Sequence, residues 1–450
     1  MKINISPART AAYKILFDVF ENGAFSNIAI NRHIDLSLKN PNDRKLAVHL
    51  VYGTIKKKNR LEAVLSGLSN IPIDKIHPSI RVILFFSLYQ IIYMDKIPEY
   101  AIVNDAVNMC KFYGQPSAVS FVNAILRNAL RQKASYSVRN SSDAMLVLDE
   151  EYGFPRWISE MLFSQYGAEK ILKFAKASED APEVSIKVNT LKTTEAILAD
   201  SLAGKEIVTE KTIIPDSLFI KSSVNIFMTE EYRNGWFFAQ DISGTICGYA
   251  LDPQPGDRII DLCSAPGGKS FHAGILSHNT DILSCDIVTK KLELVKRSAR
   301  QLGLSGIRAV KRDAVVMRAE EKELYDRVIC DVPCSGLGVI RRKPEILYRL
   351  NEDHMADLTA LQSKIIANAL DYLKPGGTMI YSTCTINRLE NSEIVRKALA
   401  KRQDAELVPI TLPFQLPVNH PELSDGMLQL WTDTDGCDGF FMAKIRKKSV

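Results

Sequence analysis

Two thiols stand where a chain can carry out covalent chemistry. Cys334 lies in the segment DVPCSGLGVIRRKPEI that starts at Asp331, and Cys384 lies in YSTCTINRLENSEIV, which starts at Tyr381. Each follows an apolar run that reads as a strand. A cysteine in a loop just past a strand and close to a helix start has its thiolate favoured and its sulfur accessible, as a nucleophile requires. Asp331 closes the first run, Pro333 stiffens the turn, and Arg341, Arg342 and Lys343 follow within reach of a bound polyanion. Taken singly, each cysteine is more simply a small buried residue, and the basic triplet a solvated loop. The thiols form one site only if their strands are neighbours in one sheet.

A third segment, DLCSAPGGKS from Asp261, is a glycine-rich turn between a strand and a helix. Such a turn lets a ligand approach the backbone, and the helix N-terminus favours polar or anionic groups. It is neither G-x-G-x-x-G nor G-x-x-x-x-G-K-[ST], so the dinucleotide fingerprint and the P-loop both fail. Asp286 ends the next strand about 20 residues on, where a carboxylate can accept from ribose hydroxyls. Together the two features point to a nucleoside-bearing cofactor.

The elements that must position these groups are strands Arg258–Leu262, Ile282–Asp286, Asp326–Asp331 and Thr378–Ser382, alternating with helical segments. That alternation predicts a parallel, doubly wound α/β sheet over residues 239–450. Residues 1–133 read instead as an all-α bundle. Ser6-Pro7 opens a helix, and Ala11, Ile15, Leu16 and Val19 recur at helical spacing. Similar runs cover Leu46–Ile55, Ile80–Tyr93, Ala101–Phe112 and Ala118–Leu130. A polar, Ser-rich linker is expected at 134–144. A mixed α+β segment follows at 145–238, with β-like runs such as Val184–Val188 and Leu218–Ile220.

With 450 residues, 46% apolar and 24% charged, the chain is no disordered, collagenous or disulfide-scaffold sequence. The most apolar stretch, Val82–Met94, is broken by Ser87 and Gln90 and is too short to span a bilayer. Nothing near the first residues has the pattern of a signal peptide. The eight cysteines form no C-x-x-C pair and the seven histidines are scattered, so the expectations are free thiols, no metal and a cytoplasmic protein away from membranes. Residues 1–140 hold 19 Lys and Arg against 9 Asp and Glu, a net charge of +10 that the rest reduces to +5. A basic module beside a mildly acidic one suggests a nucleic-acid partner. The run Lys56, Lys57, Lys58 and Arg60 is then a candidate for phosphate contact, with an ordinary solvated helix end as its bland alternative.

In this order the three chemical segments closely resemble the RNA 5-methylcytosine methyltransferases of the RsmB/NOP/Sun family, which use S-adenosyl-L-methionine. The resemblance runs over roughly Phe237–Arg446. Upstream, VYGTIKKKNRLEAVL, SLYQIIYMDKIPEYAIVNDAV and FVNAILRNALR resemble the NusB-like RNA-binding helical domain, a pairing similar to bacterial enzymes that modify a cytosine of 16S ribosomal RNA. Ser264 and Val332 stand where the family more often has Ala, and neither change removes a functional group.

The resemblance implies a Rossmann-like catalytic domain, with Cys384 as the nucleophile and Cys334 assisting release. Asp331 and Lys269 would share their pocket, Asp331 on the N3/N4 edge of the cytosine. Cys263, Ser264, Ala265, Pro266, Gly267, Gly268 and Lys269 would line the cofactor's methionine and ribose, Asp286 would take the ribose hydroxyls, and Asp313 the adenine amino group. The partner implied is 16S ribosomal RNA, with a monomer as the expected state. A target base must leave its stack to admit a thiolate, which favours a single-stranded loop. Two alternatives stay open: a transfer RNA methyltransferase, and a non-catalytic RNA-binding or antitermination factor.

Overall fold

In the computed structural model, which describes residues 5–113, 115–136, 142–222 and 224–449, the chain forms two compact units. The first runs to Glu179 and takes in Ile340–Arg349; the second holds Asp180–Val339 and the chain from Leu350 onward.

The first unit is helical. Pro7–Phe20, Pro41–Lys56 and Pro78–Tyr93 each begin at a proline, whose fixed φ suits a first helical turn. Pro78–Tyr93 buries residues on every side, from Val82 to Leu88 without a break, and so shows no single apolar stripe. The other helices surround it. Arg9 is buried among them, its guanidinium donating to Gln90 Oε1 and Asp105 Oδ2, both at 2.8 Å.

Helices Ala144–Tyr152, Arg156–Tyr166 and Ala168–Ala177 also belong to this unit, so packing divides the expected 145–238 segment near residue 179. Of the expected linker, residues 137–141 lie outside the described residues. The basic run explains the division. Lys56 Nζ donates to the carbonyls of Ser178 (3.1 Å) and Glu179 (2.9 Å), and Lys57 Nζ to that of Glu151. Lys58 pairs with Glu62 at 2.6 Å and Arg60 with Glu150 at 2.9 Å. Lys56, Lys57, Lys58 and Arg60, the candidates for phosphate contact, are thus engaged by partners within the protein. Their charges close onto carboxylates and carbonyls of the same unit, mostly about 100 residues away in sequence.

The second unit carries two sheets. Strands β1 (Val184–Val188), β2 (Thr209–Lys211), β3 (Ser217–Ile220) and β4 (Phe237–Ala239) form an antiparallel sheet in the order β2-β3-β1-β4. The larger sheet is built from β5 (Ile259–Asp261), β6 (Ile282–Asp286), β7 (Ile307–Lys311), β8 (Tyr325–Asp331), β9 (Leu373–Thr383), β10 (Ala405–Leu407), β11 (Met427–Leu430) and β12 (Phe440–Lys447). Its order is β10-β12-β9-β8-β5-β6-β7, with β11 on β12. Neighbours from β9 through β7 run parallel, and β12 joins β9 antiparallel. The chain turns its direction of travel across the sheet between β5 and β8. At such a switch point the carboxyl ends of the strands open into a crevice.

Between β10 and β12 a buried His420 ties two turns together, its Nε2 2.7 Å from Asp435 Oδ1 and its Nδ1 3.0 Å from Glu422 Oε1. Burial alone would lower its pKa, but the hydrogen bonds to Asp435 and Glu422 outweigh it and hold it above the ordinary value. A raised folded-state pKa gives stability that is complete below the unfolded value, about 6.5, and lost as pH rises through the folded one. His420→Gln should therefore cost about 1.5–3 kcal/mol at pH 6 and much less at pH 9. Thermal melts at the two pH values check this, and equal losses would refute it.

Candidate active site

The crevice is built from loops after β5, β8 and β9. Directly after β5 the backbone turns under Gly267, whose φ is +111° and where an added Cβ would stand 2.3 Å from the Phe271 ring. Only glycine fits there. Ser264 N donates to Cys285 O at 2.7 Å, drawing the loop against β6, and the helix Gly268–Leu276 begins at its end. Asp261, the last residue of β5, is buried. Its Oδ2 accepts from Ser270 Oγ at 2.7 Å, and Ser284 Oγ donates to Ser270 Oγ at 2.8 Å. Burial pushes the Asp261 carboxyl up to about 7, an effect the Ser270 hydrogen bond only partly offsets.

Because β8 and β9 are parallel neighbours with Asp331 opposite Ser382, the two cysteine loops leave the sheet side by side. The sulfurs of Cys334 and Cys384 stand 3.4 Å apart. The hydrogen bond to Cys384, then burial, holds the Cys334 thiol well above its ordinary pKa. Beneath both loops lies the fully buried Glu390. Its carboxylate accepts from Ser335 N (2.8 Å) and Oγ (2.6 Å), Gln362 Nε2 (3.0 Å) and Asn387 Nδ2 (3.1 Å).

A cavity of about 250 Å³ opens among these loops, and Cys384, Lys269, Asp331, Cys263, Asp261 and Gln240 all line it; Cys334 does not. Lys269 Nζ donates to Asp331 Oδ2 at 2.6 Å, and Ser382 Oγ donates to Asp331 Oδ1 at 2.7 Å. Burial would lower the Lys269 pKa, but Asp331 more than compensates and raises it, so a cation is held on the wall beside the thiol.

Ser264, Ala265, Pro266 and Gly268 line the same cavity, with Gly267 shaping the turn. Asp286 ends β6 and accepts from Val288 N at 2.8 Å, and Asp313 follows β7 and accepts from Val315 N at 3.0 Å. They lie at the carboxyl ends of β6, which is beside β5, and of β7, the next strand out, and outside the Cys384 cavity. Arg341, Arg342 and Lys343 are not brought to this unit: Ile340–Arg349 belongs to the helical one. There Lys343 Nζ stands 5.2 Å from the Phe25 ring centre, Glu345 accepts from Ser26 N, and Arg349 donates to the carbonyls of Val19 and Ala24. Gln240, Asp261, Ser382 and Glu390 were not anticipated; a lone Gln before a helix cap and a Glu in a polar run carry no distinguishing signal.

Three family models cover most of the chain: the NusB family over residues 6–131, an RsmF/B-like ferredoxin-like domain over 154–227, and 16S rRNA methyltransferase RsmB/F over 248–446. A protein of Bacillus subtilis (strain 168) described as probable ribosomal RNA small subunit methyltransferase B is 34% identical over 443 residues, 98% of either chain. The chain belongs to the RsmB/F family of 16S rRNA methyltransferases. A Synechocystis protein of the same description is 31% identical over 98% of this chain and 99% of its own. The crystal structure of PH0851 has the same fold, with a TM-score of 0.85 at 22% identity over 99% of each chain.

The enzyme is thus an S-adenosylmethionine-dependent RNA methyltransferase. Its cavity fits such a cofactor: Asp261 Oδ1 and Ser264 Oγ are buried on the wall without a hydrogen-bond partner in the protein. Buried polar atoms in that state can be matched by the polar groups of such a cofactor or by water. Among the described residues no helix is long and apolar enough to cross a membrane, and no cluster of His, Cys, Asp and Glu could hold a metal ion.

Proposed function

We propose that the enzyme methylates C5 of a cytosine in 16S ribosomal RNA through a covalent bond between Cys384 and C6. The observation that carries this reading is the thiol pair at 3.4 Å, with Cys384 alone on the cavity wall beside the Lys269–Asp331 ion pair. C5 of cytosine is a poor nucleophile. Addition of the Cys384 thiolate to C6 pushes electrons to C5 and makes it enamine-like, which divides one difficult step into two easier ones. S-adenosylmethionine, when bound, supplies the electrophilic methyl group. A base then takes the C5 proton, the electrons of that bond restore the C5–C6 double bond, and the sulfur leaves as thiolate. Cys334 supports this departure by donating its proton in a hydrogen bond to the leaving sulfur. Asp331, held by Lys269 and Ser382, presents a carboxylate to the N3/N4 edge of the base.

The cofactor would lie along the carboxyl ends of β5, β6 and β7. Asp261 and Ser264 would meet its amino-acid end, Asp286 its ribose hydroxyls and Asp313 its adenine amino group. Asp286→Ala should weaken S-adenosylmethionine binding by about 1.5–3 kcal/mol, the contribution of a charge-assisted hydrogen bond. Calorimetry on the folded variant checks this, and unchanged affinity would remove Asp286 from the site.

The reading as a whole is tested by incubating the protein with S-adenosylmethionine and separated ribosomal and transfer RNA, then mapping 5-methylcytosine. Label at one cytosine of 16S RNA is the expected result. Label confined to transfer RNA, or on another atom, would overturn it.

A further inference from the structure

Gln240 is pinned but unused. Its backbone is fixed to β1 from both sides: Gln240 N donates to Ser185 O at 3.2 Å, and Ser185 Oγ donates to Gln240 O at 2.7 Å. Its carboxamide lies against the backbones of Gly244 and Gly268, with Nε2 within 3.5 Å of where a Cβ at either glycine would stand. The residue is 9% exposed, it lines the cavity of Cys384, and its Oε1 has no donor in the protein. An acceptor buried in this way is costly to leave unmatched, so a ligand donor is expected to reach it.

We propose that Gln240 reads the target base, its Oε1 accepting a hydrogen bond from the 4-amino group of the cytosine held against Cys384. This rests on the C5 reading above and adds to it the residue that tells cytosine from uracil. The competing donors belong to the cofactor. Its ammonium group is matched by Asp261, whose Oδ1 has no donor in the protein and whose ionised form would carry the complementary charge. Its ribose and adenine fall to Asp286 and Asp313, which do not line this cavity. The cytosine amino group has two hydrogens, so Asp331 can accept one and Gln240 the other. Uracil places a carbonyl oxygen at that position, and two acceptors would face each other with no proton between them. A site built to bond a substrate N–H rejects an analogue without it far more strongly than a shape difference alone could.

The test uses the full-length enzyme and a 16S fragment carrying the mapped target, made with either cytidine or pyrimidin-2-one riboside there. The second base lacks the 4-amino group but still has a C6 open to a thiolate. Methyl transfer is read for the cytidine RNA, covalent adduct formation for the pyrimidin-2-one RNA, and cofactor affinity by calorimetry. Gln240→Leu should lower kcat/KM on the cytidine RNA by roughly ten- to a hundredfold. It should leave the adduct rate on the pyrimidin-2-one RNA and the affinity for S-adenosylmethionine unchanged. Gln240→Glu, which keeps an acceptor, should retain most of the cytidine activity. Equal losses on both RNAs would make Gln240 a structural residue, weakened cofactor affinity would make it a cofactor ligand, and no loss would leave it without a role; each overturns the proposal. Failure of the wild-type enzyme to methylate C5 at all would instead refute the reading beneath it.

Discussion

Cys384→Ala is expected to abolish turnover and leave no covalent RNA adduct, whereas Cys334→Ala should accumulate an adduct that survives denaturing electrophoresis. The first loss should be on the order of 10⁴-fold or more, because the other thiol on the cavity wall, Cys263, is pushed by burial well above its ordinary pKa and is a poor source of thiolate to add to C6. The second follows from the positions of the two thiols. Cys334 sits 3.4 Å from Cys384, within hydrogen-bond reach of its sulfur, but off the cavity wall. Without that donor, attack and methyl transfer proceed, but the sulfur has lost the hydrogen bond that eases its departure. If Cys334 serves only packing, its alanine variant turns over nearly normally and shows no adduct. An adduct in Cys384→Ala alone would exchange the roles. Labelled RNA and labelled cofactor on one gel separate these results.

The convergence of the thiols was legible because both stand where strand alternation ends in a loop, and only the adjacency of the strands was missing. The parallel pairing of β8 with β9 supplies it. Strand β7 was harder to see. IRAVK lies at the sheet edge with no fully buried residue, so its apolar content falls below that of the central strands. The antiparallel strands β10 to β12 also escaped notice, since two are only three or four residues long and lie within polar, Pro-rich loops.

Charge was harder to read for a related reason. Lys56, Lys57, Lys58 and Arg60 form a dense basic run in a basic module; Lys58 pairs locally with Glu62, while the partners of the other three, Glu150, Glu151, Ser178 and Glu179, come back from a distant stretch of chain. Local composition records the donors without the acceptors. Arg341–Lys343 likewise clusters with residues far away in sequence, because Ile340–Arg349 belongs to the helical unit.

Glu390→Ala should destabilise the enzyme by about 3–5 kcal/mol, the range for breaking a buried charged network by removing one partner. Its carboxylate touches both cysteine loops, as Ser335 follows Cys334 directly and Asn387 lies three residues after Cys384. Removing it leaves Ser335 N buried without its acceptor, while Ser335 Oγ keeps Thr385 Oγ1 at 2.8 Å, Asn387 Nδ2 keeps Met355 Sδ at 3.4 Å and Gln362 Nε2 keeps Pro333 O at 2.9 Å. A melting temperature lower by about 10 °C is expected. Glu390→Gln keeps the shape but places an NH2 where one oxygen accepted, so it should lose less stability. The two loops should nevertheless separate, and the glutamine variant should form its RNA adduct more slowly even where it is fully folded. A glutamine variant with normal adduct kinetics would show that β8 and β9 hold the thiols together unaided, with Glu390 contributing only to the stability of the fold.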